Sequence, residues 1–239
     1  MIENTYSEFD QIMKLQMSVL SSVGVKYDEL LENVKRNTCE IKYGTQNMHL
    51  GYFCPSLVMD KTVGGFKKGK LQTTIPKSKS GSYVIYDIDK DGKLLRIQAV
   101  NSFGTIVETY IVKENNVEYG VKFSDKKLTL HNGASTRTIY ENGRLKRFDI
   151  IDSSYMWSEI YLYNPNNNQK VVCEKYYYVP NLKGSKKSIP VGAAGSPAQL
   201  FIMNIDLDNQ GKVIKIHQYE IIENQKVLTY IYNKWKWDW

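Results

Sequence analysis

Asp87-Ile88-Asp89-Lys90-Asp91-Gly92 sets carboxylates at alternate positions ahead of a glycine. This is the opening half of a loop whose oxygen ligands converge on a hard cation. The twelfth position, where a bidentate glutamate closes such a loop, is Gln98, and the flanks read as strands rather than helices. Asp206-Leu207-Asp208-Asn209-Gln210-Gly211 is a weaker echo. Both read as hairpin turns, and no metal is implied. Gly64 to Leu71 satisfies G-x-x-x-x-G-K, then puts Leu71 where a hydroxyl must hold magnesium. LQTTIP continues as β instead of opening a helix, so the helix N-terminus that gives a phosphate loop its field is missing. No cofactor is implied.

Other reactive groups are scattered. Cys39, His49 and Cys54 lack C-x-x-C or H-x-x-x-H spacing, and His131 and His217 have no sequence-adjacent partner. Neither a G-x-S-x-G elbow nor an H-E-x-x-H pair occurs. Glu108, Asp149, Glu159 and Glu174 fall on strand-like segments, where acid-base pairing and ion pairing to a cross-strand lysine are the two available uses. No catalytic residue is nominated.

These side chains must be positioned mainly by strands. Phe9, Ile12, Met13, Met17 and Leu20 recur at three- and four-residue spacings, which predicts an amphipathic helix over 5–22; a second follows over 26–36. A helical segment 1–37 therefore precedes a β domain over 38–239. From about residue 38 the apolar period is two, and β-type runs are expected at 39–43, 49–54, 70–76, 83–88, 93–100, 105–112, 117–123, 126–131, 135–141, 144–151, 156–163, 170–178, 199–206, 212–222 and 226–233. Asp91-Gly92, Asn132-Gly133, Asn142-Gly143 and Gln210-Gly211 punctuate them as tight turns. Repeat-like units fall near 83–112, 137–164 and 201–233. Gly92 and Gly143 lie 51 residues apart, and removing the Gly/Ser/Pro/Lys segment 181–198 brings the Gly143–Gly211 interval close to the same length. The fold expected is mainly β with a helical N-terminus: a long antiparallel meander of repeated hairpins, forming a curled sheet or half-barrel.

Composition adds a binding bias. There are 18 Tyr against 7 Phe in a chain of net charge +7. Residues 61–80 hold six lysines and no acids, whereas residues 1–40 hold seven acids and four bases. A basic stretch attracts phosphates, anionic lipids or an acidic protein face. Three unpatterned cysteines argue against a disulfide framework and fit a reducing compartment. Acids near the N-terminus do not suit a signal peptide, and no apolar run approaches a membrane span. A cytoplasmic protein is expected. The long loop 181–198, with Lys183, Lys186 and Lys187, reads as binding surface. The alternating Trp235, Trp237 and Trp239 read either as a core stripe closing the sheet or, exposed, as a hot-spot patch or stacking platform.

YENGRLKR (140–147) and YDIDKDGKLLR (86–96) resemble the YD hairpin repeats of Rhs-type bacterial toxin shells, with 206–216 a looser match. The chain is too small to enclose a toxin, so the resemblance implies the hairpin economy of β-rich proteins of polymorphic-toxin systems, immunity proteins included. The function expected is a non-catalytic protein-binding module, an immunity-type inhibitor of a toxin domain being its concrete form. Its expected contact residues are Lys67, Lys68, Lys70, Lys183, Lys186, Lys187, Tyr110, Trp157, Tyr163, Trp235 and Trp237. The alternative is a nucleic-acid-binding module in which lysines meet phosphates and Tyr or Trp stack on bases.

Overall fold

The computed structural model describes residues 2–24, 26–45, 48–64, 66–77, 81–128, 135–180 and 188–234. Two helices, α1 (Ile2–Gly24) and α2 (Tyr27–Asn37), precede the strands, and a four-residue helix α3 (Met59–Thr62) interrupts the segment after β1 (Glu40–Gly44). The remaining strands are β2 (Tyr83–Ile88), β3 (Leu94–Val100), β4 (Ile106–Glu114), β5 (Val117–Ser124), β6 (Lys127–Leu128), β7 (Ser135–Glu141), β8 (Arg144–Ile151), β9 (Met156–Asn164), β10 (Asn167–Tyr178), β11 (Ala198–Leu207), β12 (Val213–Ile222) and β13 (Gln225–Asn233). All pair antiparallel with their neighbours in chain order, β6 hanging off β5, in one sheet that does not close into a barrel. The fold is mainly β with an N-terminal helical segment.

Cross-strand partners point to the same side, so the register sorts side chains onto two faces. On the helix face, Tyr6, Phe9, Ile12 and Met13 of α1 pack on Ile151, Met156, Tyr178 and Ala198. Leu20 and Val34 pack on Tyr110, Tyr119, Val121 and Phe123. The other face is covered by residues 48–66: Cys54, Val58, Met59 and Phe66 bury Phe148, Tyr161, Cys173, Met203 and Ile216, while Leu50 and Phe53 pack on Tyr86 and Ile97. The sheet is therefore a middle layer between helices and an irregular strap.

Two expected strands are not strands. At 49–54, His49, Leu50 and Gly51 have φ of +46°, +69° and +56° and lead into a 3₁₀ turn. A left-handed run cannot extend a ladder, and here it turns Leu50 and Phe53 down onto the sheet. Tyr86 secures the turn by accepting the Tyr52 N–H at 3.1 Å. At 70–76 only Gln72 pairs, exchanging two backbone hydrogen bonds of 2.9 Å with Tyr43 of β1. Of the run at 126–131, Lys127 and Leu128 form β6; residues 129–134, with Asn132-Gly133 and His131, lie outside the described residues.

Two kinds of hairpin recur among the described turns. Gly92, Gly104 and Gly211 each end a three-residue loop with φ between +75° and +78°. In all three loops the acidic or amide residue at the start accepts two backbone N–H groups on its side-chain oxygen: Asp89 from Asp91 and Lys93, Asn101 from Phe103 and Thr105, Asp208 from Gln210 and Lys212. Asn142-Gly143 is instead a two-residue turn with both φ positive, as are Asp125-Lys126 and Glu223-Asn224. Gly92 and Gly211 thus close one kind of bend and Gly143 another.

Candidate protein-binding surface

The two sheet edges are treated differently. The β1 edge is partly capped by the Gln72 bridge, which takes the outward N–H and C=O of Tyr43. Among the described residues β13 pairs with β12 alone, leaving its outer edge from Gln225 to Tyr232 without a strand partner. Val227, Leu228, Tyr230 and Ile231 are 41, 48, 37 and 53 % exposed. A long apolar edge is ordinarily blunted because its free N–H and C=O groups template pairing with another chain. Only a bulge between Leu228 and Tyr230 and the flanking Lys226 and Lys234 modify this one.

Beside β13 the strap leaves two adjoining depressions of about 330 Å³ each, lined by Lys61, Lys67, Lys68, Lys212, Lys234 and the rings of Tyr230 and Tyr232. The lining carboxylate, Asp60, pairs with Lys61 at 2.8 Å. Lys67 Nζ donates to the Asp60 carbonyl at 2.9 Å, and Tyr230 donates to the Lys61 carbonyl at 2.8 Å, fixing strap to strand. Five ammonium groups line this wall against the Asp60 carboxylate, with Asp208 close enough to Lys212 and Lys234 to feel their charge, so the wall is net positive.

The expected contact residues divide. Lys67 and Lys68 line the groove; Lys70 is exposed but does not. Lys183, Lys186, Lys187, Trp235 and Trp237 lie outside the described residues. Tyr110 is a core residue at 1 % exposure, wedged between Tyr27 and Phe123, so its ring offers nothing to a partner. Trp157 is half-buried under the Lys175 ammonium, 3.8 Å from its ring centre, and Tyr163 is half-buried under the Arg144 guanidinium at 5.3 Å. Lys61 entered only among the lysines of 61–80, and Lys212 was not expected as a contact; nor were Tyr230 and Tyr232. Their signal is VLTYIY at 227–232, an apolar run without the alternation of a half-buried strand.

The strand carboxylates do not form an acid-base pair. Asp149, wholly buried, accepts from Arg147, Arg137 and Ser158, and Glu108 accepts from Arg96, Tyr27 and Tyr110. Glu174 accepts from Tyr176 at 2.9 Å. Glu159, also wholly buried, accepts from Tyr161 at 2.6 Å and stands opposite Lys175 in the ladder. Burial raises the Glu159 carboxyl against the counter-pull of Lys175, and lowers the Lys175 ammonium. Cys173 beside them is pushed well up by burial, and Cys54 rises for the same reason to about 12, so both thiols stay protonated and inert. Asp89 and Asp208 hold their own turns, and among the described residues no cluster of three or more His, Cys, Asp or Glu could take a metal ion. No described helix is long and apolar enough to cross a membrane.

Chemically, the surface offers ammonium groups and aromatic and aliphatic contact area to an anionic, partly apolar partner. Comparison with models of known protein families and with curated protein sequences finds no match.

Proposed function

We propose that this chain is a non-catalytic protein-binding module that acts in the cytoplasm as an immunity-type inhibitor, capping a bacterial toxin domain. The observation that carries the reading is the open β13 edge beside the lysine-lined groove. Exposed aliphatic and tyrosine side chains supply contact area, and the lysines select an acidic surface and speed encounter with it. A net charge of +7 favours a toxin with an acidic face over a basic nuclease. The free thiols Cys39, Cys54 and Cys173 suit a reducing compartment.

The test is calorimetric titration of the purified chain with the toxin domain encoded beside its gene, together with rescue of cells expressing that domain. Stoichiometric binding and rescue support the reading. Rescue without binding, or binding unaffected by Lys67→Glu with Lys68→Glu, overturns it.

A second reading rests on the same groove, whose alternating lysines and tyrosines could clamp a single nucleic-acid strand. Its signature is a steep loss of single-stranded RNA binding with added salt. No binding at low salt removes it.

A further inference from the structure

We infer that the partner docks by adding an extended segment to β13, and that this segment alternates acidic with apolar residues. The inference rests on the protein-binding reading and names the mode and chemistry of that contact.

Three observations carry it. First, among the described residues the outer edge of β13 from Gln225 to Tyr232 has no strand partner, and its outward N–H and C=O groups can pair with an extended chain. Second, the register splits its side chains by face. Tyr230 stands opposite Gln218 and Tyr232 opposite Ile216 on the strap side, whereas Leu228 stands opposite Tyr219 and Ile231 opposite His217 on the helix side. Third, the two sides differ in chemistry. The strap side carries Lys61, Lys67, Lys68 and Lys212 around the two tyrosines. On the helix side the packing of α1 reaches Ala198 of β11, and Leu228 and Ile231 are about half-exposed.

An added strand obeys the same two-residue period. Its residues on the strap side meet ammonium groups and favour Asp or Glu; those on the helix side extend the Leu228–Ile231 surface and favour Val, Ile or Leu. The bulge between Leu228 and Tyr230 bends the edge, so the Tyr230–Tyr232 part, next to the lysines, anchors the segment. A uniformly acidic segment would lose the apolar side, and a uniformly apolar one the charge.

The probes are nine-residue fluorescent peptides alternating glutamate and valine, read by anisotropy against the full chain. A version with lysine for glutamate tests charge. Two versions N-methylated at every second residue, in opposite frames, test backbone pairing, because only one frame faces β13. The expected result is loss of binding by about tenfold or more for the lysine peptide, for one methylated frame, and for the parent peptide on Lys67→Glu/Lys68→Glu protein. Hydrogen exchange should slow in β13 amides on binding. Equal binding of both methylated frames, or of the lysine peptide, overturns the inference, as does RNA binding at these lysines that leaves β13 amides unprotected and displaces the peptide. If the toxin domain binds without protecting β13, strand addition fails while the protein-binding reading stands. If the peptide binds as expected and the toxin domain does not, the choice of toxin partner fails and the edge chemistry stands.

Discussion

Arg147 Nη1 donates to Glu8 Oε1 at 2.6 Å, tying α1 to β8 across 139 residues of chain. The Nε of the same guanidinium reaches Asp149 at 2.8 Å, and Arg137 reaches that carboxylate from β7 at 2.9 Å. Asp149 is wholly buried, so it is the anion on which two guanidinium groups depend. Asp149→Ala leaves Arg137 without its carboxylate and Arg147 with Glu8 alone, and should cost about 3–5 kcal/mol in urea denaturation. Glu8 is half-exposed, and Glu8→Gln should cost less than about 1 kcal/mol.

Glu159 and Lys175 face each other across β9 and β10 with the lysine ammonium over Trp157. Removing one charge strands the other in a dry site. Lys175→Met and Glu159→Gln should each cost about 2–3 kcal/mol, and the double variant clearly less than their sum. Additive losses would show that the two charges do not interact. A double-mutant cycle by urea denaturation decides it.

His49 sets a pH limit. Burial, helped by the nearby Lys122 charge, lowers its imidazole from 6.5 to about 4, and its Nδ1 has no partner among the described residues. The unfolded chain takes up a proton near pH 6.5 and the folded chain only near 4. The stabilising contribution is therefore complete above 6.5 and is lost as pH falls towards 4, by about 3 kcal/mol. The raised Glu159 carboxyl works in the opposite sense, so the comparison to make is wild type against His49→Asn. Asparagine tolerates the left-handed backbone at φ +46° and should remove this part of the slope.

Asp89 and Asp208 are turn residues, and Asn101 does the same work in a third hairpin. Asp89→Asn should be nearly neutral and Asp89→Ala should cost about 1 kcal/mol, the worth of a satisfied backbone donor. Millimolar calcium or a chelator should leave the melting temperature unchanged; a rise with calcium would restore the cation-loop interpretation of 87–92.

The helices and most strands were legible because their burial is periodic: Phe9, Ile12, Met13 and Leu20 for α1, and alternating Val84, Tyr86 and Ile88 for β2. The strap was not, since LGYF reads as β while His49 and Leu50 take left-handed conformations set by the packing of Leu50 and Phe53 beneath. Tyrosine enrichment also misled. Tyr27, Tyr161, Tyr176 and Tyr178 are at least half-buried and donate to the carboxylates of Glu108, Glu159, Glu174 and Asp10, so much of the aromatic excess serves the interior. The surface site was half visible: Lys67 and Lys68 stood out by charge, but only tertiary structure brings them beside Tyr230 and Tyr232.

Because every long strand leans on the one made just before it, the sheet can zip up in the order of synthesis, with little entropy lost per closing loop. The first helix cannot follow that order. The strands that receive Tyr6 and Phe9 are translated well over a hundred residues later. Although Leu20 is met earlier by β4 and β5, the Tyr6–Met13 part of its apolar stripe waits bare on the ribosome, a natural foothold for a chaperone, until β8 to β11 emerge to cover it.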